Sequence, residues 1–227
     1  MQLTWFGHAA FLIETQTPDG TVRIITDPFS SQTGYAPINE SADVVTLSHE
    51  NPKYHSCLTE LQGQPEIVQG LEIVGQVVET HGLRIGAVPV FESYDFEQRK
   101  GEGPNTMIWL ESEGLRVLHM GDVGHRLDDT SLAACGPVDI LLAPTGGKPT
   151  IGLADLQDFI HRLQPRLVLP MHYGTAKVDM KILPIGAFTA LFSAEQVQHV
   201  AAPTLVVSPD ELAAYSTPQI RVLQHAR

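Results

Sequence analysis

One feature recurs along this chain and limits what it can fold into: a short apolar run of strand character stops, and a His or an Asp follows at once. Residues 3–6 lead through Gly7 to His8, residues 21–26 run into Asp27, and residues 42–48, almost continuously apolar, end at His49. Residues 115–120 lead through Gly121 to Asp122, with His125 three positions on, and residues 166–169 lead through Pro170-Met171 to His172. Layered α/β sheets bind their ligands beyond the carboxyl ends of strands. A single strand-end Asp or His is explained as well by a cap or a loop hydrogen bond. Five such ends together point to one shared cleft, because imidazole and carboxylate are the donor set of a catalytic zinc or a similar ion.

The rest of the pattern says how those ends are brought together. Strands are also expected at residues 10–15, 66–68, 76–80, 83–90 and 106–112, with Pro18-Asp19-Gly20 and Glu113-Gly114 as turns between neighbours. A helix over residues 129–135 is stopped by Gly136-Pro137. Leu153, Leu156, Ile160 and Leu163 fall at helical spacing before Gln164-Pro165. Short strands at 138–143 and 166–169 complete a strand–helix–strand alternation. A strand-rich first half followed by that alternation fits two sheets packed face to face with helices outside. No linker, low-complexity tract or repeat divides residues 1–227, so a single domain is expected.

Charge narrows the partners. With 14 basic and 26 acidic side chains the formal net charge is −12, which repels nucleic acid and anionic membrane surfaces at long range. Cys57 and Cys135 are too few for a disulfide framework, and residues 1–5 lack the basic-then-apolar pattern of a signal peptide, so the cytoplasm is the expected location. No apolar run approaches the length of a membrane helix. His81, His161, His199 and His225 read as surface residues. Arg99-Lys100-Gly101 reads as a solvated loop, with a basic rim for an anionic substrate as the sharper alternative.

The segments Trp5-Phe6-Gly7-His8-Ala9, Thr26-Asp27-Pro28, residues 42–49, Pro104-Asn105-Thr106, His119-Met120-Gly121-Asp122-Val123-Gly124-His125, Pro144-Thr145-Gly146-Gly147 and Pro170-Met171-His172-Tyr173 follow one another in a familiar order. Together they resemble the zinc-dependent hydrolases of the metallo-β-lactamase superfamily that are themselves similar to ascorbate-6-phosphate lactonases. The resemblance implies an α/β (α+β) fold of four αβ/βα layers, two packed mixed sheets with helices on both outer faces. It also implies a metal site, here an eroded one. The family's ligand loop reads His-x-His-x-Asp-His, whereas this chain has His49-Glu50-Asn51-Pro52-Lys53-Tyr54-His55. Asn51, Lys53 and Tyr54 stand where His, Asp and His are expected, and His55 fills the last place only if one residue is inserted. Glu92, in Phe91-Glu92-Ser93, replaces a further His. His49, Asp122 and His172 match unchanged.

Those departures set the functional expectations. An ammonium about 4 Å from a divalent ion is repelled by about 8 kcal/mol at an effective dielectric of about 20. Lys53 is therefore expected to displace the second ion and to pair with Asp122 or Glu92 inside the cleft. One divalent ion at most, zinc or manganese, is expected on His49, Glu92, Asp122 and His172, or none; a dinuclear zinc centre is not. Asp122, His172 and His49 are the expected catalytic residues. His8, Asp27, Asn51, Lys53, Tyr54, Glu92 and His125 are the expected pocket lining, with Asp27 orienting the His49 loop. The expected activity is hydrolysis of a small ester, lactone or phosphoester; the alternative is a non-catalytic module that binds a small anion in the same cleft. Neither nucleic acid nor membrane is an expected partner, and the oligomeric state is left open.

Overall fold

The computed structural model describes residues 1–93, 102–178 and 180–227, so the stretch Arg99-Lys100-Gly101 lies outside the described residues. In chain order the first strands are β1 (Gln2–Gly7), β2 (Ala10–Thr17), β3 (Gly20–Thr26), β4 (Val44–Leu47), β5 (Glu66–Gln69) and β6 (Val77–Thr80). The long hairpin β7 (Leu83–Ser93) and β8 (Glu102–Ser112) follows, then β9 (Leu115–His119), α1 (Asp129–Cys135), β10 (Ile140–Pro144), α2 (Leu153–Leu163) and β11 (Leu167–Met171). The chain closes with α3 (Ile185–Thr189), β12 (Val197–His199), β13 (Thr204–Val206), α4 (Pro209–Ala213) and β14 (Gln219–Val222).

Two mixed sheets result. The first has the order β13-β1-β2-β3-β4-β5, and the second β12-β14-β11-β10-β9-β8-β7-β6. In the first, β1 to β3 form an antiparallel meander and β4 and β5 add in parallel. In the second, β9, β10, β11 and β14 run parallel, and the β7–β8 hairpin adds antiparallel to β9. The ends of β1, β3 and β4 therefore share one edge of the first sheet, and those of β7, β9 and β11 share one edge of the second.

Alternation decides which side chains fill the space between the sheets. Leu3, Phe11, Ile13, Ile24 and Val44 face Ile85, Ile108, Leu110, Val117, Leu142 and Leu169 in the central cluster. The next residue along each strand points outward, and on the second sheet Val88, Met107, Leu118, Leu141 and Val168 meet Leu156, Phe159 and Ile160 of α2. Asp128 caps α1 by accepting from the Ser131 amide at 2.8 Å. Gln164, in the left-handed region at φ 53°, ends α2 ahead of Pro165. The outer face of the first sheet is covered differently. Phe6, Leu12, Ile25 and Val45 lie under Phe29, Tyr35, Ile38 and Val178, so irregular chain and the 3-10 turn Ser31–Thr33 form much of that layer.

Two differences from the sequence reading bear on the site. β7 and β8 extend to Ser93 and back to Glu102, beyond the expected 83–90 and 106–112, because the ladder continues through Val90–Asn105 to Ser93–Glu102 after the apolar alternation has ended. The extension carries Glu92 over the strand ends. α3, β12, β13, α4 and β14 were not legible as elements; each spans three to five residues and depends on distant partners, as β13 does on β1 and β14 on β11. Leu142, fully buried between the sheets, should lose about 2–5 kcal/mol of stability on truncation to Ala. Val77→Ala, on the edge strand and 47% exposed, should stay within about 0.5 kcal/mol. Urea unfolding of the two variants measures both.

Candidate metal centre

Where the two sheet edges meet, six loops deliver their polar residues into one buried cluster, and three of them do so from a left-handed backbone. His8, Asp27 and His172 have φ of 47°, 39° and 50°. For a non-glycine residue that conformation is costly and persists when its surroundings over-determine it. The His8 carbonyl accepts hydrogen bonds from the Trp5 indole at 3.0 Å and from the His172 amide at 3.0 Å, which locks the β1 and β11 ends together. The Asp27 amide donates to the Thr46 carbonyl at 2.9 Å, tying the β3 end to β4. Gly121, at φ 56°, has no room for a Cβ, which would lie 2.7 Å from that of Ser48. This close approach sets Asp122 against the His49 loop.

Asp27 is fully buried and organises the cluster from below. Its Oδ1 accepts from the Ser48 amide at 2.7 Å, and its Oδ2 accepts from the Ser48 hydroxyl and from His55 Nδ1 at 3.0 Å. Because Ser48 gives its proton to Asp27, its oxygen is free to accept from His49 Nδ1 at 3.0 Å. Both imidazoles then carry hydrogen on Nδ1 and turn Nε2 to the cleft, the arrangement by which outer carboxylates prepare histidine ligands. His119 completes the support: Nε2 donates to the Ala9 carbonyl at 2.8 Å, and Nδ1 accepts from the Gly121 amide at 3.2 Å.

The inward-facing atoms converge without satisfying one another. His55 Nε2 lies 2.9 Å and His172 Nε2 3.4 Å from the two oxygens of Asp122, and His49 Nε2 lies 3.5 Å from Glu92. The His55–Asp122 approach is a close ionic contact rather than an aligned hydrogen bond. Among the described residues, His8 Nδ1 and Nε2, His49 Nε2, His55 Nε2, His172 Nδ1 and Asp122 Oδ1 are buried with no hydrogen-bond partner. Leaving such atoms unpaired costs about 1–3 kcal/mol each. One set of donors within 4.8 Å of one another is His8, His55 and His172; another is His49, Glu92 and Asp122. These residues fit a divalent metal ion: the donors are imidazole and carboxylate, they are close enough to share an ion, and their lone pairs have no other use.

Electrostatics agree. Burial would raise the Asp122 pKa, but the neighbouring His55 and His172 outweigh it and hold the carboxyl well below its usual range. Burial lowers His8, reinforced by His172 and His55; it also lowers His49 and His172, keeping all three neutral. His55 goes the other way: burial opposes its charge, but Asp122 and then Asp27 outweigh burial and raise it to about 10.

A cleft of about 100 Å³ opens above, lined by His8, Asn51, Tyr54, Glu92, Asp122 and His172 with Pro149, Thr150 and Met180. A larger groove of about 320 Å³ at Pro137–Asp139 and Tyr215–Pro218 is more open and lies by the starting ends of β10, β11 and β14, away from the converging donors.

Residues 2–172 match the family described as the beta-lactamase superfamily domain. A UPF0173 metal-dependent hydrolase of Carboxydothermus hydrogenoformans is 31% identical over 207 residues, covering 77% of this chain and 85% of the relative. One from Archaeoglobus fulgidus is 26% identical over 202 residues, covering 77% and 84%. A Thermotoga maritima protein, described as a Zn-dependent hydrolase of the metallo-β-lactamase superfamily, superposes with a TM-score of 0.75 at 29% identity over 98% of this chain and 99% of that one. The chain belongs to the metallo-β-lactamase superfamily. Within it, the chain is a member of the UPF0173 group.

For this superfamily member the structure brings together His8, His49, Asn51, Tyr54, Glu92, Asp122 and His172, and it corrects four expectations. Lys53 does not enter the cleft. It is exposed, with its ammonium 4.8 Å from the centroid of the Tyr54 ring, and the cation beside Asp122 is His55 instead. The reason is local. The Asn51 carbonyl collects the amides of Tyr54, His55 and Ser56, a tight turn that points Lys53 outward and drives His55 into the core. Asn51 uses its own side-chain oxygen on the Tyr54 amide at 3.3 Å. His125 is not part of the lining: Nε2 accepts from the Phe91 amide at 3.2 Å and Nδ1 donates to the Arg126 carbonyl. Asp27 lies beneath the cleft rather than along it. His225, expected at the surface, is half-buried and packs edge-on against Trp5 and Tyr35. His55 and the supporting residues Ser48 and His119 were the ones missed, although the one-residue insertion flagged His55.

The opposed pKa shifts give a pH test on chelator-treated protein. A raised His55 contributes stability that is full below its unfolded value of about 6.5 and is lost as the pH climbs through about 10. The lowered His8, His49 and His172 act in the opposite sense, and their contribution is lost as the pH falls below about 6.5. Melting temperatures of the chelated protein should therefore decline from neutral pH toward pH 10, and His55→Gln should flatten that alkaline decline. Equal declines in both proteins would show that His55 is not held as an imidazolium.

Proposed function

We propose that this chain is a metal-dependent hydrolase acting on a small ester, lactone or phosphoester, with a divalent ion held by the buried His–Asp–Glu cluster. The observation that carries the reading is the clustering of imidazole and carboxylate donors in groups of three (His8, His55 and His172; His49, Glu92 and Asp122), with buried atoms of His8, His49, His55, His172 and Asp122 left unpaired. The names of its UPF0173 relatives as metal-dependent hydrolases support it. A zinc or manganese ion bound there would supply Lewis acidity for the hydrolysis. Asp27 and Ser48 hold His49 and His55 in the ligating tautomer. Tyr54, Met180 and Pro149 narrow the mouth, so a cleft of about 100 Å³ admits a reacting group and leaves the rest of a substrate outside. Lys53, exposed over Tyr54, places positive charge at the entrance and suits a small anionic substrate in an otherwise acidic chain. The net charge of −12 argues against nucleic acid as substrate. The free, buried Cys57 and Cys135 fit the cytoplasm, and among the described residues no helix is long and apolar enough to cross a membrane.

One observation favours a second reading. An imidazolium at His55 between Asp27 and Asp122 balances the buried carboxylates with no ion present, as a non-catalytic anion-binding relative would need. Elemental analysis of protein purified without chelator or added metal, paired with turnover of ester, lactone and phosphoester panels, separates the two. The hydrolase reading expects bound metal, and Asp122→Ala and His172→Ala should each lower turnover by at least about 100-fold. Absence of metal together with absence of turnover would establish the second reading.

A further inference from the structure

We propose that His8 is itself a metal ligand, completing with His55 and His172 a three-imidazole site that Asp122 flanks. This deepens the hydrolase reading and rests on it. The three rings offer nitrogens within 4.8 Å of one another, all buried. The His8 ring centroid lies 4.3 Å from that of His172 and 5.0 Å from that of His55. Asp122 flanks two of the three, with Oδ2 2.9 Å from His55 Nε2 and Oδ1 3.4 Å from His172 Nε2.

A packing histidine would account for His8 only if its polar atoms were spent elsewhere. His119 provides the contrast within this fold, since it is equally buried and uses both nitrogens on backbone groups. His8 has both ring nitrogens buried and neither bonded. Its backbone is held at φ 47° by the Trp5 and His172 bonds to its carbonyl, so the ring's direction is imposed from behind. Tyr54 stacks on it at 5.2 Å and shields it from solvent. Asp27 is not a competing ligand, because both its oxygens are taken by Ser48 and His55; it fixes the His55 tautomer instead. Three imidazoles make a nitrogen-rich donor set of the zinc type, unlike the oxygen-richer group of His49, Glu92 and Asp122.

The test is zinc(II) titration of chelator-stripped full-length protein against a chromophoric competitor, with the visible spectrum of the cobalt(II)-loaded form as a second readout. His8→Ala should weaken zinc by more than the roughly 10–100-fold that loss of an outer-shell partner causes, and should change the cobalt spectrum. His8→Asp, which restores a ligand of different type, should recover most of the affinity with a shifted spectrum. His199→Ala, at an exposed position on β12 remote from the cleft, should leave both unchanged. If His8→Ala folds poorly, as circular dichroism would reveal, the His8→Asp result decides. Wild-type affinity and spectrum in His8→Ala, or failure of Asp to rescue, overturns the assignment of His8 while leaving the metal reading in place. A wild-type protein that takes up neither zinc nor cobalt overturns both.

Discussion

The carboxylate of Asp27, fully enclosed where the two sheets meet, is the interaction on which the rest of the site depends. A buried charge is tolerated when it is paired and hydrogen-bonded. Here the Ser48 amide and hydroxyl and the His55 ring supply those bonds, and His119 lies 3.9 Å away. Burial pushes the Asp27 pKa up, but the neighbouring His119 and His55 more than offset it, and the net shift is downward. One anion thereby ties together the end of β3, the loop after β4 and the strand β9, which come from both sheets. Breaking a buried pair of this kind by removing one partner typically costs about 3–5 kcal/mol. Geometry of the cleft and stability of the fold are therefore set by the same atoms.

The left-handed turns at His8, Asp27 and His172 follow from that economy of space. A strand that ends at a sheet edge must turn its chain away at once while aiming the next side chain inward. A left-handed residue does both in one step, and a glycine would do it with less strain but would bring no donor. His8 and His172 share the cost, because the His172 amide bonds the His8 carbonyl. Gly121 and Gly124 serve where no side chain fits: a Cβ on Gly124 would lie 2.2 Å from the Ser93 amide nitrogen. That contact seats the Asp122 loop against Glu92.

Sequence patterning revealed what depends on strands and concealed what depends on the path of irregular chain. His49, Asp122 and His172 were legible because each closes an apolar run whose alternation is itself the evidence for a strand. The two-sheet architecture was legible for the same reason. Lys53 was misplaced because the turn gathered by the Asn51 carbonyl shifts the inward position by one residue, from Tyr54 to His55, and side-chain direction in a turn has no period to read. Glu92 was found by resemblance, while its reach into the site depends on a hairpin ladder that outlasts its apolar alternation. Ser48 was legible as the end of a strand but not as a relay, since its role exists only once Asp27 lies beneath it. The short elements after His172 carry too few apolar residues to announce themselves and form through their partners.

The converging imidazoles also explain why such a site would favour an occupant. In a metal-free cluster His8 and His172 must stay neutral, their lone pairs meet no donor, and His55 bears the charge needed to hold Asp122. Every unpaired atom there is a cost carried by the folded state alone, because in the unfolded chain water would satisfy it. An ion that binds the folded cluster removes those costs at once and stabilises the fold by linkage, in proportion to the logarithm of its concentration over its dissociation constant. It would also take over the neutralisation of Asp122 that His55 now performs, releasing a proton from that imidazole. On the proposed reading, then, His55 is both the placeholder for the ion and one of its ligands, and the single-residue shift that brought it inward preserves a metal site that Lys53 at the same position would have closed.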